Sequence, residues 1–181
     1  MIDIHKLYIV NYCHPNCVPL QNIMRLPKEE AFQKAAELAE ANKETTAFYR
    51  FADFDNYYPR RLATDKALYR RFIELGGKPA EKHPLSFVLQ GSDYLRNWFD
   101  GGIVTRIPLA KIPADSISFV YGDSMSTLER EGSFEMLTKD ALLERMEAYT
   151  GTLAEFMEEI NTTCHYIEVQ LWDDRWCECK E

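Results

Sequence analysis

Residues 83–123 read HPLSFVLQGSDYLRNWFDGGIVTRIPLAKIPADSISFVYGD, and this stretch decides the fold. It holds three runs rich in β-branched and aromatic residues, each closed by glycine or proline, which is typical of short strands between tight turns. We predict strands over 84–90, 103–109 and 116–121, with one short helix after the first. Three strands that follow one another this closely favour a mixed or antiparallel sheet over regular β–α–β winding.

Similar patterns extend outward from this stretch. They predict further strands over 4–12, 45–51 and 165–172, and helices over 28–42, 65–75, 138–149 and 152–160. The segments 13–27, 53–61 and 122–132 are predicted as loops, and the polar tail 173–181 is predicted to fray. The sum is one α+β domain over residues 1–181, in which about five helices cover a mixed or antiparallel sheet of about six strands.

Length and charge limit the function. A chain of 181 residues with 46% hydrophobic residues is sized for one globular domain. The net charge of −8 opposes binding to phosphate backbones, so general nucleic-acid binding is not expected. No apolar run has the roughly 20 residues of a membrane span. The first residues lack the pattern of a signal peptide, and the five cysteines are interpreted as reduced thiols, so we expect a cytoplasmic location.

Three polar residues on separate predicted strands form the first candidate site: Arg50, Ser86 and Glu168. A guanidinium binds phosphate bidentately, and a carboxylate stabilises positive charge that develops on a sugar. In this order they resemble the ADP-ribosyltransferase family, in one branch of which successive strands supply Arg, Ser and a late Glu. The resemblance implies that Arg50 holds the phosphates of NAD, Ser86 supports the nicotinamide side, and Glu168 bonds a ribose hydroxyl and stabilises the oxocarbenium-like transition state.

Aromatic and basic residues near these three are candidates for binding the nucleotide. The candidates are Arg50, Tyr49, Tyr57, Tyr58, Arg61, His83 and Trp98. Tyrosine and tryptophan rings can sandwich a flat base, and an arginine beside them suits its phosphates. Two alternatives stay open. Arg50 and Glu168 are rim charges that pair or face water, or Gln170 takes the catalytic position in place of Glu168, which leaves binding without transfer.

Cysteine and histidine residues near the ends of the first and last predicted strands form a candidate zinc site. They are Cys13, His14, Cys17, Cys164 and His165, which would meet if those two strands paired antiparallel. With parallel pairing, Cys177 and Cys179 would be the nearer pair. Because Cys-x3-Cys and Cys-x-Cys differ from zinc-knuckle spacing, and cysteine is commonly a small buried hydrophobe, the favoured interpretation is no metal.

Three function classes follow. The leading expectation is a nucleotide- or NAD-binding domain of ADP-ribosyltransferase type, either active as a transferase or inactive. The first alternative is a non-enzymatic module whose aromatic surface docks a protein partner. The second is a small zinc-stabilised protein. The expected partner is therefore a small nucleotide or a protein.

Overall fold

Six antiparallel strands form one open sheet in the computed structural model, which describes residues 2–180. The strands are β1 (Tyr8–Cys13), β2 (Leu85–Leu89), β3 (Ile103–Pro108), β4 (Ile117–Tyr121), β5 (Met136–Thr138) and β6 (Ile167–Leu171). Their order across the sheet is β3-β1-β2-β6-β4-β5. The late strand β6 therefore lies at the centre, hydrogen-bonded to β2 on one side and to β4 on the other.

Helices connect and cover the strands. They are α1 (Lys28–Ala41), α2 (Tyr49–Ala52), α3 (Phe54–Glu74), α4 (Asp93–Trp98), α5 (Ser124–Glu131), α6 (Lys139–Ala148) and α7 (Leu153–Cys164). Short 3-10 turns occur at Ile4–Lys6, Ile23–Arg25, Thr46–Phe48, Leu109–Lys111, Ala114–Ser116 and Asp174–Cys179. The predicted α+β class, with an antiparallel sheet of six strands, is confirmed.

The two faces of the sheet are covered differently. On one face, Phe87, Phe119 and Val169 are buried against α6 and α7 in the main core. On the opposite face, called the site face below, α3 covers β4 and β6: Phe72 stacks on Trp172 with ring centroids 5.2 Å apart. The small helix α4 covers another part of the site face through Leu95. Ser86, which pairs with Gln170 and therefore lies on the same face, is exposed.

The predicted strand over 45–51 is wrong, because these residues form a 3-10 turn and then α2. Thr45 starts the turn, and its Oγ1 accepts a hydrogen bond from the Ala47 N–H. The predicted loop 53–61 is also wrong, since it begins the long helix α3, which contains Pro59. Asp65, predicted as a helix cap, is a fully buried residue inside α3. The aromatic run suggested alternation, but its rings pack at helical spacing around Phe54.

Three further predictions need correction. Residues 124–131 of the predicted loop 122–132 form α5, capped by Asp123, whose carboxylate accepts from the Ser126 N–H at 2.7 Å. The first strand begins at Tyr8, later than predicted. The tail does not fray over residues 174–179: it forms a 3-10 turn anchored by the Arg25–Asp174 ion pair, and Trp176 packs on the core. The last residue of the predicted tail, 181, lies outside the described residues.

Within residues 2–180, the helices are too short or too polar for any of them to cross a lipid bilayer.

Candidate functional site

A hollow of about 130 Å³ opens on the site face where α2, the start of α3 and the start of α5 meet. We call it the Arg50 pocket. It is lined by Tyr49, Arg50, Asp53, Asn56, Tyr57, Arg60, Met125 and Ser126. Helix formation over 49–60 creates this lining, because residues one turn apart on α2 and α3 point to the same side.

Arg50 is half-buried at the centre of the pocket. Its guanidinium lies over two rings, 5.6 Å from the centroid of Tyr49 and 5.7 Å from that of Tyr57. Its Nε donates to the Tyr49 hydroxyl at 3.1 Å, and within residues 2–180 it forms no salt bridge. Burial disfavours the charge, yet the Tyr49 hydrogen bond and the charge of Asp123 raise the pKa of Arg50. Arg50 is thus permanently charged, and its terminal N–H groups have no hydrogen-bond partner within residues 2–180.

The neighbouring arginines are paired. Arg60 donates to both carboxylate oxygens of Glu129 on α5, through Nε and through NH2 at 2.6 Å. Arg61 donates from Nε to the buried Asp65 carboxylate at 2.7 Å. Burial disfavours the Arg61 charge, but Asp65 outweighs this and raises the pKa of Arg61. The Arg61 side chain is 13% exposed and does not line the pocket, so it contributes a fixed charge rather than a contact surface.

Glu168 lies on β6 beneath the start of α5 and is 7% exposed. Its carboxylate accepts from the Ser124 N–H at 2.8 Å, from the Ser124 hydroxyl at 2.7 Å and from Gln170 Nε2 at 2.9 Å. Burial and the nearby Asp123 charge raise the pKa of Glu168, while Arg61 and the Ser124 hydrogen bonds oppose the shift. The carboxylate therefore anchors α5, which supplies one wall of the Arg50 pocket.

The hydrogen-bond network continues from Glu168 into the sheet. Ser118 on β4 donates from Oγ to Gln170 Oε1 at 2.7 Å. The same Oγ accepts from Trp172 Nε1 at 2.8 Å. Every side chain in this series of hydrogen bonds is buried. Polar groups on β4 and β6 thus satisfy one another under α3, which keeps the support of the pocket rigid.

The three residues that suggested the ADP-ribosyltransferase pattern share the site face. Ser86 pairs with Gln170 in the β2–β6 register, so its side chain points to the same side as those of Gln170 and Glu168, and it is exposed. Arg50 and Glu168 both act on the buried Tyr166 hydroxyl. Burial mainly raises the pKa of Tyr166, Glu168 raises it further and Arg50 lowers it. Arg50 reaches this region from a helix, not from a strand.

A row of rings runs from the pocket toward the start of β6. Tyr49 meets Trp98 edge-on at 5.6 Å, Trp98 lies 6.3 Å from Tyr94, and Tyr94 stacks on His165 at 5.0 Å. Tyr49 and Tyr94 are about half exposed, at 53% and 49%. Tyr58, in contrast, packs against Phe32 and Phe54 between α1 and α3 and does not line the pocket.

Known proteins give no further guide. The chain matches no family model, no curated protein and no solved structure. The resemblance to ADP-ribosyltransferases therefore depends on Arg50, Ser86 and Glu168 alone, of which only Ser86 and Glu168 lie on strands.

The candidate zinc ligands lie at opposite ends of the sheet. Strands β1 and β6 do not pair, because β2 lies between them, and both run antiparallel to it. Cys13 ends β1, whereas Cys164 precedes β6, so the two are at opposite ends. His14 instead bonds Asp100 at 3.0 Å. No group of three or more metal-ligating side chains converges within residues 2–180.

Burial raises the pKa of the Cys13, Cys17 and Cys177 thiols. Cys177 packs on the core, where burial and the charge of Asp174 raise the pKa of its thiol to about 11. Burial also raises the pKa of the Cys13 and Cys17 thiols. These three are protonated thiols at neutral pH rather than nucleophiles.

The sequence pattern assigned part of this lining to loops rather than to helices. Asn56 and Arg60 belong to the segment 53–61, and Met125 and Ser126 to the segment 122–132, both of which were predicted as loops. One signal was available. Asp123 is one of the residue types preferred at a helix N-cap, because its carboxylate can accept from the backbone N–H two or three residues later.

Proposed function

We propose that the Arg50 pocket binds a small phosphorylated ligand that carries a flat ring, a nucleotide being the class that fits best. One observation carries the proposal: a half-buried arginine lies over two tyrosine rings, and its only hydrogen bond to a described residue goes to the Tyr49 hydroxyl. Holding a cation away from water costs free energy unless an anion accompanies it. A phosphate oxygen meets the unused N–H groups of Arg50 with bidentate geometry.

The walls of the pocket suit the rest of such a ligand. Tyr49 is about half exposed and meets Trp98 edge-on, so its ring offers a stacking face for a base at the edge of the pocket. Asn56 and Ser126 line the same hollow with amide and hydroxyl groups that can bond a sugar. Arg60 lines the same hollow, but its charge is balanced by Glu129, so Arg50 is the cation offered to the ligand.

The arrangement of Glu168 favours binding over ADP-ribosyl transfer. The three hydrogen bonds from Ser124 and Gln170 already occupy its carboxylate. A ribose hydroxyl would have to displace one of them to reach a group that is almost fully buried. We therefore propose a nucleotide-binding domain in which Glu168 positions α5. Transferase activity on NAD would require, in addition, that Glu168 contact the ribose.

A thermal-shift titration with AMP, ADP and NAD tests the proposal. We expect a saturable rise in melting temperature with at least one of them, and its loss in Arg50→Gln. Arg70→Gln is the matched control, because Arg70 is exposed on α3 and forms no salt bridge within residues 2–180. The proposal fails if none of the three ligands shifts the melting temperature, or if both variants reduce the shift equally.

The ring row also supports a second candidate function, the docking of a protein partner. Tyr49 and Tyr94 each expose about half of their surface, and Trp98 lies beside both of them. Tyrosine and tryptophan are enriched among the residues that contribute most to binding at protein interfaces. Tyr94→Ala separates the two functions. It leaves the Arg50 pocket lining intact, so loss of a protein partner without loss of nucleotide binding favours docking.

A further inference from the structure

A second hollow lies on the other side of α3 and shares no residue with the Arg50 pocket. It measures about 140 Å³ and is lined by Leu62, Lys66, Tyr69, Lys82 and His83. We call it the His83 hollow. Its residues come from the middle of α3 and from the segment that leads into β2.

A buried carboxylate fixes the orientation of His83. The Nδ1 atom lies 2.6 Å from Asp65 Oδ2, and Asp65 is fully buried inside α3. Because a carboxylate can only accept, Nδ1 is the donor in this bond. The other oxygen of Asp65 accepts from Arg61, so the charge of Asp65 is balanced before any ligand arrives. His83 is thus held in one ring orientation by a partner that is itself fixed.

The second ring nitrogen of His83 is left for a ligand. Nε2 forms no hydrogen bond to any residue in the described part of the chain, and the side chain is 18% exposed. With Nδ1 committed to Asp65, the remaining hydrogen-bonding capacity of the ring lies at the hollow. This is the arrangement in which a histidine contacts a bound group without reorienting.

Two lysines add positive charge to the same hollow. Lys66 and Lys82 are both exposed, and among residues 2–180 neither forms a salt bridge. They face the hollow from different elements, α3 and the β2 lead-in. In a chain of net charge −8, two uncompensated lysines beside a histidine make a locally cationic site.

The floor of the hollow is apolar. Leu62 contributes an aliphatic side chain, and Tyr69 is fixed by an edge contact with Trp172 at 6.0 Å. The methylene stems of Lys66 and Lys82 extend this surface, since long cationic side chains bury their stems and expose their ends. An inorganic ion would leave this surface wet, whereas a ring attached to the anion would cover it.

We propose that the His83 hollow is a binding site for a small aromatic anion, a phosphate monoester or carboxylate whose ring lies on Leu62 and Tyr69. The anionic group contacts His83 Nε2 and the ammonium groups of Lys66 and Lys82. Asp65 is a positioning residue that acts through His83 and does not touch the ligand. The site is independent of the nucleotide proposed for the Arg50 pocket.

Titration with phenyl phosphate, followed by NMR of the His83 ring and by calorimetry, tests this site. We expect a saturable shift of the His83 ring signals by phenyl phosphate, and weaker binding of inorganic phosphate and of phenol, each of which supplies half of the contacts. Benzoate, carrying the same ring on a carboxylate, distinguishes the two anion sources. The double variant Lys66→Gln/Lys82→Gln is expected to weaken phenyl phosphate binding about tenfold, the effect of losing two charge-assisted contacts.

Two controls make the outcome specific. Lys34→Gln/Lys111→Gln removes two other exposed lysines and should leave the affinity unchanged. Arg50→Gln should also leave it unchanged, which separates this site from the Arg50 pocket. The proposal is overturned if phenol binds as tightly as phenyl phosphate, if the control lysine pair matters equally, if Arg50→Gln abolishes binding, or if the His83 signals do not move.

Discussion

At the scale of single residues, Glu168 links the sheet to the candidate site. It is an acidic residue in the middle of the central strand β6, where Arg61 and the hydrogen bonds from Ser124 and Gln170 oppose the effect of burial on its charge. Its position on a strand with Gln170 and Trp172 on the same side was predictable from alternation along 165–172. Its partner was not, since Ser124 lies 44 residues earlier and is brought there by α5.

Replacement of this carboxylate should change how stability depends on pH. In the unfolded chain it titrates near its ordinary value of 4.5, whereas burial raises its pKa in the folded protein. Between these two values the folded protein holds a proton that the unfolded chain has lost. The contribution of Glu168 to the free energy of unfolding therefore falls as pH rises above 4.5 through the folded pKa.

Urea unfolding at a series of pH values measures this effect. Glu168→Gln cannot titrate, so its stability should decline less than that of the wild type as pH rises above 4.5. Glu158→Gln, at an exposed position of α7, should follow the wild type. Parallel pH curves for the wild type and Glu168→Gln would contradict the role given to burial.

Ser118→Ala tests the buried network at its centre. The substitution removes the acceptor of Trp172 Nε1 and the donor to Gln170 Oε1 together. Because the residues stay buried, we expect a loss of about 1–3 kcal/mol in the free energy of unfolding, the usual cost of an unsatisfied buried polar group. Denaturant unfolding measures it, with the exposed Ser133→Ala as reference. Equal stability of the two variants would show that other partners replace Ser118.

At the scale of elements, the sequence predicted the strands that are bounded by glycine or proline. It did not predict the secondary structure of the aromatic segment 45–61. Strands β2, β3 and β4 follow from β-branched runs closed by Gly91, Pro108 and Gly122, because local propensity and turn chemistry agree there. The segment 45–61 has strand-forming residues by propensity, but burial against α1 at Phe54 decides for helix. Tyr49, Arg50 and Tyr57 were candidate binding residues, but the prediction placed them on a strand and a loop instead of on α2 and α3.

The start of α7 is a place where sequence and structure agree and where a cap can be tested. Thr152 Oγ1 accepts from the Glu155 N–H at 3.2 Å, and Glu155 Oε2 accepts from the Thr152 N–H at 2.7 Å. Thr152→Ala breaks this box and should cost about 0.5–2 kcal/mol, whereas Thr152→Ser should retain most of the stability. Thermal unfolding compares the two. Alanine and serine variants of equal stability would mean that α7 is held by Phe156 and Ile160 alone.

At the scale of the whole molecule, the tail stabilises the core. Trp176, Cys177 and Cys179 pack against the main core, and Arg25 donates to both oxygens of Asp174 at 2.5 and 3.1 Å. Deletion of residues 174–181 should lower the free energy of unfolding by about 2–4 kcal/mol, from three partly buried side chains. The midpoint of urea unfolding reports the loss. An unchanged midpoint would mean that the tail does not contribute to stability, as expected of a frayed segment.

The sequence predicted more of the fold than of the site. Arg50, Ser86 and Glu168 were selected from separate segments, and two of them lie on the expected strands of one face. Tyr49, Arg50 and Tyr57 do line one pocket, but Tyr58 packs away from it. Pairing partners such as Glu129 for Arg60 come from tertiary packing of α3 on α5, for which the chain gives no local signal.

The position of β6 between β2 and β4 has a consequence for assembly. During synthesis β6 emerges after the other five strands, and without it the sheet is divided into β3-β1-β2 and β4-β5, whose inner edges at β2 and β4 have no partner strand. Joining the two parts requires contacts between residues far apart in the sequence, which slows folding, and unpaired strand edges favour aggregation. We therefore expect β6 to complete the sheet late, with the inner edges of β2 and β4 exposed until it pairs.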